Sequence, residues 1–143
     1  QDAKALANGS VSAGKLATVT SSSNNGVAIG TDTNVQFASG VALGFTARAF
    51  ASNGIAIGIL SKCEPFGGSE SIAIGNLALA NANGSVALGA NVTASIQNCT
   101  TVNMMQIANY AALNYADDTA AAAGGVALGQ VYHNAGALRI RIA

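Results

Sequence analysis

The chain repeats the stretch Gly26-Val27-Ala28-Ile29-Gly30 four more times with small variations. The later copies are Gly40-Val41-Ala42-Leu43-Gly44, Gly54-Ile55-Ala56-Ile57-Gly58, Ser71-Ile72-Ala73-Ile74-Gly75 and Ser85-Val86-Ala87-Leu88-Gly89. Their closing glycines lie 14, 14, 17 and 14 residues apart. A period of this kind predicts a stack of similar coils, because one unit of this length cannot bury its apolar side chains alone.

Each repeat predicts two strands. Within the repeated stretch, Val or Ile alternates with Ala, and this alternation indicates a strand whose Ala side leaves room for close packing. The closing glycine permits a positive φ and therefore a sharp turn. A weaker strand follows, with apolar or small side chains at the third, fifth and seventh positions after that glycine: Thr33, Val35, Phe37; Ala47, Ala49, Ala51; Ala78, Ala80, Ala82; and Val92, Ala94, Ile96.

The second corner of each repeat is polar. It carries Asn and Gly, as at Asn53-Gly54, and such a pair supplies the left-handed backbone of a tight turn. The order of strand, glycine corner, strand and polar corner predicts a parallel two-sided β-roll that rises ~4.8 Å per coil. The inward side chains must be small, because two close sheets enclose them.

The repeat domain is expected to span residues 10–103, with residues 1–9 as an arm or linker. Ser10–Gly14 indicates a degenerate first coil, and Cys99–Asn103 a last coil whose final Asn takes the glycine position. The 17-residue unit has three extra residues within Ser61–Glu70, where we expect a surface loop. Such loops often carry recognition, but we favour a tolerated insertion.

Residues 104–143 break the period and predict a C-terminal helix and hairpin module. Asp117–Ala123 indicates a short helix, since acidic residues are favoured near a helix start and Gly124-Gly125 stops it. Two strands and their connecting turn follow, at Val126–Tyr132, Ala137–Ile142 and His133–Gly136.

The last predicted strand is amphipathic. Apolar residues alternate with arginines, which predicts one buried and one polar face: Leu138, Ile140 and Ile142 against Arg139 and Arg141. Gly125–Gly129 imitates the repeated stretch but lies 40 residues past Gly89. We therefore interpret it as part of a hairpin strand and not as another coil.

Composition limits the classes of function. Half of the 143 residues are apolar, but only 5% are aromatic and 8% charged, which favours a thin core. Six basic and six acidic residues cancel, so no charge excess points to nucleic acid or to an anionic membrane. We expect no signal peptide, and no membrane insertion, because no apolar run approaches ~18 residues. So few charges on a folded surface predict an obligate oligomer.

The titratable residues form no recognisable catalytic or metal-binding constellation. His133 is the only histidine and is expected in a surface turn, which leaves no Ser/His/Asp or Cys/His arrangement. Asp117 and Asp118 could form a carboxylate pair, but a helix-start role is favoured. Glu64 and Glu70 could bind a cation only weakly. We expect no catalytic residue, no cofactor-binding residue, no metal ligand and no cofactor.

Cysteines and tyrosines are interpreted as structural. Cys63 and Cys99 fit no metal-ligand spacing and would lie about two coils, ~9–10 Å, apart, which favours free thiols that are buried or half-buried. Tyr110, Tyr115 and Tyr132 cluster in the C-terminal module, where packing in the trimer or in the domain is favoured over stacking on sugars. The glycine-rich stretches lack the Lys-Ser/Thr pair that a phosphate loop needs.

The repeated stretch and its spacing resemble the head repeats of YadA-like trimeric autotransporter adhesins, over residues 10–103. This resemblance implies a left-handed parallel β-roll, with three chains side by side around a threefold axis. A complete autotransporter would also carry a coiled-coil stalk and a membrane barrel, and this chain shows no heptad run.

The C-terminal segment resembles a short module of bacteriophage structural proteins. Tyr115–Tyr132 and Asn134–Ile142 carry this likeness, over about 30 residues. It implies a small trimeric end-piece on a virion fibre, spike or decoration protein.

These features lead us to expect a non-enzymatic structural protein on the virion surface of a bacteriophage: a homotrimeric fibre, spike or capsid-decoration protein. Its expected partners are capsid or tail proteins, or a host-surface receptor, and not nucleic acid. The alternative is the head domain of a trimeric autotransporter on the bacterial cell surface, which binds host matrix or cells. A glycan-cleaving tailspike is a distant third, because it would need paired carboxylates on a groove.

Overall fold

The computed structural model describes residues 2–64, 69–108 and 110–143. The chain divides into two compact units, Gln1–Met104 and Met105–Ala143, which we call the roll and the C-terminal unit. The division lies one residue beyond the expected boundary at 103 and 104. Within the described ranges, no helix has the length and hydropathy that crossing a membrane requires.

The roll is built from short parallel strands that alternate between two sheets. In chain order the strands are β1 (Lys4–Ala5), β2 (Val11–Ala13), β3 (Thr18–Val19), β4 (Val27–Ile29), β5 (Asn34–Val35), β6 (Val41–Leu43), β7 (Arg48–Ala49), β8 (Ile55–Ile57), β9 (Lys62–Cys63), β10 (Ile72–Ile74), β11 (Leu79–Ala80), β12 (Val86–Leu88), β13 (Thr93–Ala94) and β14 (Thr100–Val102). The even-numbered strands form one sheet, the motif sheet, and the odd-numbered strands form the second sheet. The predicted fold, mainly β with parallel strands stacked as a roll, is confirmed.

Pairing between coils is parallel and in register. Val27 pairs with Val41, which in turn pairs with Ile55, so that equivalent positions of successive coils stack. The 17-residue unit keeps this register, because Ile55 pairs with Ile72. Its three extra residues lie between Cys63 and Ile72, because Cys63 still pairs with Ala49 at the 14-residue spacing. The expected surface loop falls largely on residues 65–68, which lie outside the described part of the chain.

The irregular end coils belong to the roll. Val11 pairs with Val27 across a 16-residue coil, and Thr101 pairs with Ala87 at the other end. The segment 1–9, for which we expected an arm or linker, contributes strand β1 to the second sheet.

Alanine fills much of the interior. The central Ala of each repeated stretch points inward and is fully buried: Ala28, Ala42, Ala56, Ala73 and Ala87. The third and fifth positions after a closing glycine are also inward, as at Ala47 and Ala49. Among the described residues of the roll, the largest fully buried side chains are valine, threonine and cysteine. The core is therefore thin, as the composition predicted.

The seventh position after the closing glycine is not a regular core position. Ala51 is buried, but Phe37 and Ile96 are 39% and 68% exposed. The reason is the length of the second strand, which ends at the fifth position, for example at Val35 in β5.

Each coil turns at two corners where a residue adopts a positive φ. The polar corner behaves as predicted, with φ of 60° at Asn25 and 56° at Asn53. The other corner lies two residues after the closing glycine and is occupied by residues that disfavour this conformation, such as Thr46 and Leu60. Their backbone N–H groups bond to the preceding coil, Thr46 to Thr31 O at 2.9 Å, so the stacked coils hold the strained backbone in place.

The closing glycines stack on one another. Gly44 has a φ of 137°, and a Cβ atom built on it would collide with the carbonyl oxygen of Gly58 in the next coil. The same collision occurs between Gly58 and Gly75. Gly89 has a similar φ of 127°, but a Cβ atom there would meet only the Val92 side chain, at 3.2 Å.

The C-terminal unit contains a 3-10 turn, helix α1, and a hairpin of two antiparallel strands, at Tyr110–Leu113, Asp118–Ala123, Val131–Asn134 (β15) and Ala137–Ile140 (β16). The helix matches the prediction. Asp117 is its N-cap and accepts a hydrogen bond from the Ala120 N–H at 2.8 Å, and Gly124 is its C-cap.

The first hairpin strand begins later than predicted. Residues 126–130 contain no strand, because Gly125 and Gly129 adopt φ values of 86° and 81° that interrupt an extended chain. The prediction that Gly125–Gly129 is not another coil agrees with the structure. The prediction that it forms part of a hairpin strand is wrong. Val126 instead packs beside Ala121 in the small core of this unit.

The prediction that the apolar side chains of the last strand are buried is wrong. Leu138, Ile140 and Ile142 are 56%, 57% and 83% exposed. The hairpin buries Tyr132, on its other face, because that side chain packs in the small core with Ala121.

Replacing Gly44 with Ala tests the stacking of the coils. Gly44→Ala is expected to lower the free energy of unfolding of the roll by about 1–3 kcal/mol more than Gly89→Ala does. This difference is the usual cost of forcing an extra carbon atom into a packed site. The two glycines have similar φ, so backbone strain is matched, and only the first substitution drives a Cβ atom into a backbone oxygen. Chemical denaturation followed by circular dichroism measures the difference. Equal losses would show that adjacent coils do not approach this closely.

Candidate assembly interface

The repeated stretch places its larger apolar side chains on the outside of the roll. Because successive strand residues point to opposite faces, each buried Ala leaves its two neighbours facing outward. We call the outward set the apolar face: Val27, Ile29, Val41, Leu43, Ile55, Ile57, Ile72, Ile74, Val86 and Leu88.

The in-register pairing arranges the apolar face as two columns. One column runs from Val27 to Val86 and the other from Ile29 to Leu88, each through the equivalent residue of every coil between them. At ~4.8 Å per coil, the five stacked repeats span about 19 Å. Leu43 and Leu88 remain 41% and 45% exposed. A contiguous apolar strip of this kind is typical of a surface that another molecule covers.

The outward side of the second sheet is different. Its row of outward side chains is largely polar: Lys4, Thr18, Asn34, Arg48, Lys62, Leu79 and Thr93. The Arg48 guanidinium lies 6.0 Å from the centre of the Phe50 ring, and Lys62 Nζ is 3.7 Å from Glu64 Oε1. The roll therefore has one broad apolar side and one broad polar side, and the motif sheet is the side suited to contact between proteins.

Glu64 and Glu70, which we had considered as weak cation ligands, lie at the two ends of the inserted loop. Glu64 pairs with Lys62, and Glu70 occupies a corner with a φ of 69°. Across residues 2–64, 69–108 and 110–143, no three His, Cys, Asp or Glu side chains gather closely enough to hold a metal ion.

Both cysteines are free, as predicted. Cys63 is buried inside the second sheet, where its Sγ lies 2.9 Å from the Ile55 oxygen and 3.3 Å from the Ser71 oxygen. Burial raises the pKa of the Cys63 thiol. Cys99 is exposed at the corner before β14, so the expected buried or half-buried position is wrong for this residue. The two cysteines occupy different positions in their coils.

Asp118 joins three parts of the C-terminal unit. Its carboxylate accepts hydrogen bonds from the Tyr132 hydroxyl at 2.6 Å and from the N–H groups of Ile142 and Ala143 at 2.8 and 3.0 Å. The bond from Tyr132 lowers the pKa of Asp118, and the same bond raises the pKa of Tyr132. Asp117 caps α1. The two carboxylates therefore have separate structural partners, in agreement with the favoured helix-start interpretation.

His133 is buried, which contradicts the expected surface-turn position. It lies in β15 and stacks on the Tyr110 ring, with 3.9 Å between the ring centres. Its Nδ1 accepts from the Gly136 N–H at 3.2 Å, which leaves Nε2 to donate to the Tyr110 oxygen at 2.8 Å. The hairpin turn lies at Ala135 and Gly136 instead. These contacts give His133 a packing role.

The tyrosines pack within the C-terminal unit, one of the two roles that we favoured. Tyr132 is buried and meets Tyr115 edge to face, with 6.4 Å between ring centres. The Tyr115 hydroxyl donates to the Gly124 oxygen at 3.3 Å, and that of Tyr110 to the Gly136 oxygen at 3.0 Å.

An open depression of about 540 Å³ lies beside this cluster and is lined in part by Asp118, Tyr132 and Arg139. Both Asp118 oxygens already accept hydrogen bonds from the protein. The depression therefore offers no carboxylate pair free for acid–base work.

Comparison with protein-family models and with curated proteins gives no match for this chain. The features of the molecule that bear on its function are the apolar face, the stacked coils and the contacts of the C-terminal unit.

The Asp118 cluster predicts how the C-terminal unit responds to acid. The pKa of Asp118 is lowered by folding, so its stabilising contribution is complete above the unfolded value of about 3.9 and is lost as the pH falls through the lower folded value. Asp118→Asn is expected to destabilise this unit at neutral pH and to reduce that acid dependence.

Tyrosine fluorescence is the appropriate measurement for this unit. The chain has no Trp, and its three tyrosines all lie in the C-terminal unit, whereas circular dichroism is dominated by the roll. Asp2→Asn is the control, because Asp2 lies in the other unit. An unchanged acid profile in Asp118→Asn would contradict the role of this carboxylate.

Proposed function

We propose that this protein is a non-enzymatic structural protein, a homotrimeric fibre, spike or capsid-decoration protein on a bacteriophage virion. The observation that supports it is the apolar face, in which equivalent Val, Ile and Leu side chains stack over five repeats on one side of the roll. In water such a surface favours association, because burying apolar area is the main source of stability between subunits.

A closed assembly follows from the shape of this surface. The motif sheet is the broad apolar side of the roll, so copies that turn this side toward a common axis bury its outward Val, Ile and Leu together. Phe45, Ile59 and Leu77 are also exposed, at the corner that follows the closing glycines. The number three comes from the resemblance to YadA-like head repeats. A twofold pair of rolls would bury the same face, and the mass of the assembly distinguishes the two.

The same features favour a mechanical role over a chemical one. Continuous parallel ladders and a thin core of small side chains make a rod whose coils contact only their neighbours. The carboxylates Asp117 and Asp118 are engaged in structural hydrogen bonds. We propose that the roll acts as a spacer and that the C-terminal unit caps it or presents a contact surface to other virion proteins or to the host surface.

A bacterial adhesin head is the second candidate, because the repeated stretch resembles the head repeats of YadA-like adhesins. In that case the protein would be found in the surface fraction of bacterial cells. Mass spectrometry of purified virions and of cell-surface fractions separates the two locations.

Leu43→Lys tests the assembly. In the intact protein, light scattering at several dilutions is expected to give three times the chain mass of 14.0 kDa. Leu43→Lys should reduce this mass toward that of one chain, because an unpaired buried ammonium costs several kcal/mol. Leu79→Lys is the matched control, since Leu79 faces outward on the polar second sheet. A dilution-stable single chain in the wild type, or equal effects of the two substitutions, would contradict the proposal.

A further inference from the structure

Strand β16 presents apolar side chains that the C-terminal unit does not cover. Leu138 and Ile140 are 56% and 57% exposed, although they alternate with Arg139 in an ordered hairpin. On the opposite face of the same hairpin, Tyr132 is buried beneath the strands. On the face that carries Leu138, its cross-strand partner His133 is buried under the Tyr110 ring. The open part of this face therefore lies along β16.

The backbone edge of β16 is open as well. The hairpin has a two-residue turn, so the pair beside the turn and every second pair beyond it are joined by backbone hydrogen bonds. These pairs are Asn134 with Ala137 and Tyr132 with Arg139. Leu138 and Ile140 therefore direct their N–H and C=O groups away from β15. In the part of the chain that the structure describes, β16 pairs with β15 alone.

The other edge of this hairpin is occupied. Asn114 forms a bridge with His133 of β15, and the Tyr115 N–H donates to the His133 oxygen at 2.9 Å. Proteins usually block open edge strands with lysine, proline or a bulge. The segment Leu138–Ile140 has none of these, and its sole charge is Arg139.

Arg139 gives the edge a charge preference. The neighbouring Arg141 is engaged within its own unit, because its guanidinium donates hydrogen bonds to the backbone oxygens of Val126 and Ala143 at 2.7 and 2.9 Å. Arg139 lines the open depression beside Asp118, whose own oxygens are held by Tyr132 and by backbone N–H groups. A strand added to the edge would place one side chain beside Arg139.

We infer that the β16 edge is a binding site for an extended segment of a partner protein, which adds a strand to the hairpin. Main-chain hydrogen bonds would form with Leu138 and Ile140, and side chains would follow the pleat. The partner segment carries an apolar residue opposite Leu138, an acidic residue opposite Arg139 and an apolar residue opposite Ile140. This inference does not depend on the trimer, and it assigns a recognition role to the C-terminal unit.

A second copy of the same strand is a poorer occupant. If two β16 strands paired antiparallel with Leu138 opposite Ile140, Arg139 would face its own counterpart, and like charges directly opposite each other destabilise a sheet. An acidic residue in the partner removes this repulsion and replaces it with an attraction.

The test uses the intact protein and a labelled peptide with a central glutamate between two valines, followed by fluorescence anisotropy. We expect saturable binding that is at least tenfold weaker for the peptide with a central lysine. Arg139→Glu should reverse this preference. Methylating the backbone nitrogens of both valines should abolish binding, because these N–H groups donate to the open edge.

Two protein variants complete the design, and their mass is measured in parallel. Leu138→Lys should weaken peptide binding and leave the mass of the assembly unchanged. Leu128→Lys, at an exposed site outside β16, should change neither the binding nor the mass. The inference is overturned if no saturable binding occurs up to ~1 mM peptide, or if neither the charge nor the methylation matters. It is also overturned if Leu138→Lys lowers the mass, because the edge would then be a contact between copies. Failure of the trimer proposal alone would instead appear as a single-chain mass with peptide binding intact.

Discussion

The close approach of successive coils is the constraint on which this structure depends. Closing glycines stack so tightly that a Cβ atom on Gly44 would collide with the backbone of Gly58. Alanines line the narrow interior between the two sheets, and Ala42 and Ala56 are fully buried. The roll therefore gains little from large buried side chains and much from continuous parallel hydrogen bonding, and this balance explains a chain rich in Gly and Ala and poor in aromatic residues.

The thin interior has a consequence for the surface. A strand that alternates Ala with Val, Ile or Leu must turn one set outward, and in the repeated stretch the alanines are the set that faces inward. Repetition in register then adds the outward side chains into a continuous apolar strip. The same pattern that makes the coils stack thus leaves an apolar strip on the outside of the single chain, and this strip is the surface that the proposed assembly would cover.

The local rules of the sequence predicted much of the roll and of the helix. The period placed the coils, Asn53 marked a corner with positive φ, and Asp117 marked the helix start. The turn at the closing glycine was predicted, but the positive φ two residues later was not, because residues such as Thr46 accept a positive φ only when neighbouring coils hold them. His133 and the exposed apolar residues of β16 were missed because their surroundings come from segments distant in sequence, such as the Tyr110 ring.

A structure of the purified assembly at side-chain resolution tests the central claim most directly. The account predicts that Val, Ile and Leu of the apolar face lie against other copies around a threefold axis, with the polar second sheet toward solvent. Copies that meet through the second sheet, or an apolar face that remains in water, would contradict it.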